Sequence, residues 1–144
     1  MGRLSNYIDK LKTIDEQLQT NVLLQIVNRH QSQLIDLNQL QLMTGRNSRG
    51  EELGQYRNAV YALFKNRLNP LPGLGVWDLR LSGDLYRGMY VEGDSFPVNI
   101  NSSDSKADKF RDAGPFGFEQ KSKDEIVQEV KPEIQEFYRS VFQL

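Results

Sequence analysis

Apolar residues in the first forty positions recur three and four apart. They fall at Leu4, Tyr7, Ile8, Leu11, Ile14 and Leu18, and again at Val22, Leu23, Ile26, Val27, Leu34 and Leu37. That spacing is the period of one helix face, and it predicts a helical arm over residues 1–42. Thr20-Asn21 is the expected joint, because both side chains bond backbone groups better at a cap than inside a helix. Seven glutamines between Gln17 and Gln41 decorate the polar side. Such an amide face is either solvated or packed against other protein, since amides are easier to desolvate than charges.

Residues 43–54 are polar and carry three glycines, which predicts a loop with tight turns at Gly45 and Gly50. A helix over 55–68 follows, with Tyr56, Val60, Leu63, Phe64 and Leu68 on one side. Asn69-Pro70-Leu71-Pro72-Gly73 ends it, because proline cannot continue a helix. Strands are expected over 76–101. Val76 to Leu81 forms the first. Met89-Tyr90-Val91 and Phe96-Pro97-Val98-Asn99-Ile100 form two arms of a hairpin turning through Glu92-Gly93-Asp94-Ser95. Pro97 places its arm at an edge. A short helix fits around 106–110.

The last element is a helix over 122–143. Ser122-Lys123-Asp124-Glu125 has the form of a capping box. Behind it runs the stripe Ile126, Val127, Val130, Ile134, Phe137, Tyr138, Val141 and Phe142, with Pro132 expected to kink or divide it. The pattern therefore predicts one α+β domain over residues 1–144. It comprises N-terminal helices, a small antiparallel sheet with a hairpin, and a long kinked C-terminal helix.

Composition narrows the chemistry more than the fold. The 144 residues include no cysteine. Disulfides, thiolate metal sites and cysteine nucleophiles are excluded, which fits a reducing compartment. The N-terminus has no apolar core of a secretory signal, Asn6 stands where myristoylation expects Ser or Thr, and no apolar run is long enough to span a bilayer. Residues 1–75 carry 9 basic and 6 acidic groups, and residues 76–144 carry 9 and 13. Opposite signs on the two halves suggest head-to-tail contact between copies. No dominant basic face of the kind a duplex binder needs emerges.

No constellation converges on a reactant. The single histidine, His30, lies in an amide-rich helical stripe without an accompanying nucleophile motif. Gly73-Leu74-Gly75 lacks the third glycine of a dinucleotide loop, since Asp78 stands in its place, and reads as a turn. Asp104, Asp108 and Asp112 do not follow calcium-loop spacing, and interleaved Lys106, Lys109 and Arg111 make them a mixed-charge surface. Trp77, Tyr86, Tyr90, Phe96, Phe116 and Phe118 near Arg80 and Arg87 fit a small core or a single-strand platform. No catalytic residue, cofactor or metal ligand is assigned.

The segment Leu81-Ser82-Gly83-Asp84-Leu85-Tyr86-Arg87-Gly88, the hairpin after it, and Gly114-Pro115-Phe116-Gly117-Phe118 before the last helix together resemble the neck and tail-completion proteins of tailed bacteriophages. Gln41 to Gly50 is similar to a linker in phages of gut Bacteroidota, including crAss-like ones. The likeness covers about residues 40–140. Here the turn reads Ser-Gly-Asp rather than Thr-Gly-Arg, and the final motif Gly-Phe rather than Gly-Leu. The resemblance implies a non-enzymatic virion protein, made in the host cytoplasm and assembled as a ring of six or twelve copies at the neck or upper tail. Portal, adaptor or tail proteins would be its neighbours. Membrane is not implied, and nucleic acid is incidental, as the content of a DNA channel. The expected interface residues are Met89, Tyr90, Val91, Phe96, Val98 and Ile100 of the hairpin, with Phe137, Tyr138 and Phe142 of the last helix. The alternative is a small nucleic-acid-associated protein using the basic 46–67 region, with Arg46, Arg49, Arg57, Lys65 and Arg67.

Overall fold

Leu34, Asn38, Gln41 and Leu42 form the buried side of helix α2, Gln31–Met43, around which the molecule is organised. The computed structural model describes residue 5, residues 16–94 and residues 98–142, without the side chains of 16–19 and 141–142. Helix α1, Glu16–Arg29, precedes α2. Next come α3, Ala59–Leu68, and α4, Asp84–Arg87. Strands β1, Met89–Glu92, and β2, Asn99–Ser102, are followed by α5, Ala107–Phe110, a 3-10 turn at Arg111–Ala113, and α6, Gln120–Phe142. The fold is α+β. Its sheet pairs β1 with β2 antiparallel, with Met89 opposite Ser102 and Glu92 opposite Asn99.

The core gathers Leu34 and Leu42 with Leu53, Leu85, Tyr86, Met89, Ile100 and Ala107. Helix α2 packs on β1 on one side and on α6 on another. Its amides fasten the segment before α6. The Asn38 amide donates to Pro115 O at 3.0 Å and accepts from Gly117 N–H at 3.2 Å. Gln41 donates to Gly117 O at 3.0 Å and accepts from Glu119 N–H at 2.9 Å. Gln41, one of the glutamines of the expected amide face, thus packs against its own chain, neither in solvent nor against another protein. Gly45 allows the close approach that follows α2. Its φ is +80°, and a Cβ there would lie 2.7 Å from that of Pro72.

Several expectations are corrected. The helical arm does not break at Thr20-Asn21. It runs through to Arg29 and breaks at His30, where the backbone leaves helical geometry (φ −105°, ψ 16°). The stripe positions Leu4, Tyr7, Ile8, Leu11 and Ile14 lie outside the described residues. Helix α3 starts at Ala59 rather than 55, because Asn58 caps it by accepting from Tyr61 N–H at 2.9 Å. Val76–Leu81 is not a strand. Only the isolated bridge between Gln55 and Val76 forms, and Leu79 sits at φ +56°, which strand pairing forbids. The hairpin is present, with Glu92 inside β1 rather than in the turn. Helix α6 begins at Gln120, so Ser122 is no cap. Its hydroxyl is buried and reaches Gln41 Oε1 at 3.4 Å. Pro132 lies within one helical run and does not divide it.

Candidate functional site

Helix α3 turns the wrong residues inward for an ordinary surface helix. Its buried positions are Ala62 and Lys65. Lys65 Nζ lies 2.9 Å from Asp78 Oδ1, with the two side chains only 6% and 4% exposed, and it also donates to Arg80 O. Asn69, at the end of the helix, donates to Asp78 Oδ2 at 3.0 Å and to Met43 O at 2.9 Å. Arg80 N–H completes the carboxylate at 3.0 Å, and Tyr86 O–H donates to Asp78 O at 2.6 Å. Burial raises the affinity of Asp78 for a proton. The donors from Lys65, Arg80 and Asn69 outweigh it, so the carboxyl titrates below its ordinary range. Burial, with the Asp78 charge nearby, pushes Tyr56 up to about 12. Leu79 takes its left-handed conformation between Asp78 and Arg80, whose amide turns back onto that carboxylate, at a cost of order 1–3 kcal/mol.

With its polar side engaged, α3 presents its apolar side to solvent. Val60 is 76% exposed, Leu63 54%, Phe64 49% and Leu68 65%. These positions are three and four apart, so they form one stripe. Leu71 and Leu74 in the following loop are exposed as well, as is Leu81. Single exposed leucines are ordinary, whereas a contiguous apolar face on one element marks a contact surface. Around the stripe the charge is one-sided. Residues 54–83 contain Arg57, Lys65, Arg67 and Arg80 against one carboxylate, Asp78, and Asp78 is buried with Lys65.

Beside α3 opens a cleft of about 240 Å³ lined by Tyr56, Tyr61, Trp77, Leu81, Lys106, Lys109 and Phe110, among others. Its rings are mutually packed. Tyr56 meets Tyr61 edge-on at 5.1 Å, and Trp77 meets Phe110 edge-on at 5.8 Å. Gly54 runs against Trp77 so closely that a Cβ would lie 2.6 Å from the indole. Arg80 stands over Tyr86, 5.8 Å from the ring centre. The cleft is thus aromatic in its walls and basic at its rim, and Asp84, its one acidic lining residue among the described residues, is held by Arg87.

Among the described residues, the expected interface residues do not form one exposed surface. Met89 and Ile100 are buried in the core, because these positions of β1 and β2 face α2 and α4 rather than a neighbour, and that expectation is corrected. Val91 is half-buried and packs on the same core, leaving Tyr90 as the exposed hydrophobic residue of β1. Val98 is half-buried, and Phe96 and the Phe142 side chain lie outside the described residues. Phe137 and Tyr138 pack edge-on at 5.3 Å and, with Val22, Leu23, Ile26 and Ile134, line the seam between α1 and α6. Of the basic 46–67 set, Lys65 is consumed by Asp78, Arg46 donates to Gly50 O at 3.1 Å and Arg49 pairs with Glu51 at 3.2 Å. The outward stripe of α3 was readable in spacing but not in direction. Spacing alone carried no signal for direction, since Asp78 and Glu52 stand equally far from Lys65 in sequence.

Asp104 bonds the amide of Lys106 at 2.8 Å, and Asp108 pairs with Arg111 at 2.6 Å, so the acidic run is a mixed-charge surface. Among the described residues no three His, Asp or Glu side chains are grouped to hold a metal ion, and no helix is long and apolar enough to cross a membrane. No family model matches the chain, and no curated protein or solved structure matches it.

Proposed function

We propose that the chain is a structural assembly protein that works by docking on copies of itself, as a ring component at the head–tail junction of a tailed bacteriophage, and that it is not an enzyme. The observation that carries the reading is the outward stripe Val60, Leu63, Phe64 and Leu68. Covering such side chains contributes about 1.5–3 kcal/mol each when burial is complete, so a partner on this face is worth far more than exposure. The phage and ring placement rests on the sequence likeness over residues 40–140. Light scattering over a concentration series, with negative-stain images, tests it. Rings or larger particles are expected, and a monomer throughout would sink the reading.

A second reading has its own observation. The aromatic cleft with Arg80, Lys106 and Lys109 at its rim has the parts of a single-strand platform, namely rings for bases and cations for phosphates. A gel shift with a single-stranded oligonucleotide at low and moderate salt decides it. Retardation that fades with salt supports it, and none at either salt removes it.

A further inference from the structure

The charge left unanswered on α3 has a counterpart elsewhere on the same chain. Between α2 and α6 runs a groove of about 300 Å³ lined by Gln33, Asp36, Leu37, Leu40, Glu125 and Glu129. Its apolar part is Leu37 with Leu40, and Leu40 is 55% exposed. Among the described residues, its charged lining is three carboxylates and no cation. Asp36 and Glu125 are exposed. The α3 stripe is the inverse, an apolar ridge flanked by exposed Arg57 and Arg67 with no exposed carboxylate in residues 54–83.

We infer that the α3 ridge of one copy seats in the α2–α6 groove of the next, so that copies join head to tail. The inference rests on the self-association proposed above and specifies its geometry. Leucine and phenylalanine side chains from the ridge cover Leu37 and Leu40. Arg57 and Arg67 meet Asp36, Glu125 and Glu129 at the edge. A two-fold pairing of ridge with ridge would set like charges together, which is disfavoured. Two unlike patches on one chain make a heterologous contact, which closes into a ring or continues as a filament according to the rotation between copies.

The test uses two charge-reversed variants at exposed positions, so the fold is retained. One is Arg57→Glu with Arg67→Glu, which spoils the ridge. The other is Asp36→Arg with Glu125→Arg, which spoils the groove. Circular dichroism first verifies that both melt like the unaltered chain. Sedimentation velocity is then run on each alone and on an equimolar mixture. Each alone is expected to associate at least about tenfold more weakly than the unaltered chain. The mixture is expected to recover association, because the intact ridge still fits the intact groove and the carboxylates of the reversed ridge meet the arginines of the reversed groove. Association of the unaltered chain should also weaken from about 50 mM to about 500 mM NaCl. If the unaltered chain associates but the groove variant associates equally well, this pairing is wrong and self-association stands. If the unaltered chain is a monomer up to about 1 mM, where only a millimolar Kd would escape, both fail together.

Discussion

Helices α2 and α3 are both short and rich in leucine, and they bury opposite kinds of surface. Helix α2 sinks Leu34 and Leu42 into the core and places Asn38 and Gln41 beside them. Helix α3 sinks Ala62 and Lys65 and leaves its leucines in solvent. In both, each buried polar group has a partner across the chain: segment 115–119 for the α2 amides, and Asp78 for Lys65. The difference teaches that periodicity names a face without naming its direction. A stripe of leucines turns inward by default, but a buried ion pair on the opposite side reverses the helix, because an unpaired buried charge costs more than several exposed side chains.

The strongest way to break this comparison is to remove the ion pair from one end. Lys65→Met leaves the Asp78 carboxylate buried and short of a charge partner, so a loss of about 3–5 kcal/mol is expected in urea unfolding. Lys65→Met with Asp78→Asn should recover part of it, since the buried charge is gone and the Arg80 amide keeps an oxygen acceptor at position 78, while the second oxygen that Asn69 donates to is lost. A single variant losing under about 1 kcal/mol would mean that something else orients α3.

The same logic applied to α2 concerns neutral groups rather than a charge. Asn38→Ala orphans the Pro115 carbonyl and the Gly117 amide, each at about 1–3 kcal/mol if no water replaces the side chain. Amide exchange at Gly117 should quicken with the loss of stability. Unchanged stability and a still-protected Gly117 amide would show that the segment before α6 stands without the staple.

The sharpest contrast lies on the outer face of α3. Leu63→Asp with Phe64→Ser is expected to cost no more than about 1–2 kcal/mol in the melting transition, because about half of each side chain is already exposed. The same change should abolish particles in light scattering. A collapse of stability would place the stripe in the core after all, and unaltered assembly would move the interface elsewhere.

Much of the fold was legible because the relevant signals were local. The helical periods, the prolines after α3 and the hairpin arms each depend on neighbours in sequence. The α+β class followed from them. What stayed hidden depended on partners far along the chain. Ser122 looks like a cap until Gln41 is seen to hold it, and Val76–Leu81 looks like a strand until Asp78 is drawn in to Lys65. The candidate site was hidden for the same reason. Its residues lie on one side of a helix by spacing, and nothing local says whether that side of α3 meets solvent.

His30 provides the mildest test, and it bears on the joint between α1 and α2 rather than on either face. Its Nε2 meets the Glu133 carboxylate on α6, and its Nδ1 lies 2.5 Å from Gln33 Oε1. Arg29 approaches the same carboxylate at 2.6 Å, and Glu129 adds negative charge from α6. The hydrogen bond to Glu133 raises the histidine above its ordinary 6.5, against a smaller opposing effect of burial, and the bond from His30 holds Glu133 below its ordinary 4.5. The raised group stabilises the fold fully below 6.5 and loses that contribution as pH climbs through its folded value. The lowered group contributes above 4.5 and loses it as pH falls through its own folded value. The clamp is therefore complete between these limits and weakens on the alkaline side. Melting curves at about pH 6 and about pH 9 should show a larger drop for the parent than for His30→Asn. Glu133→Gln should flatten the difference too, since it removes the charge that favours the imidazolium. Equal drops in all three chains would mean that the imidazole crosses its titration without feeling α6.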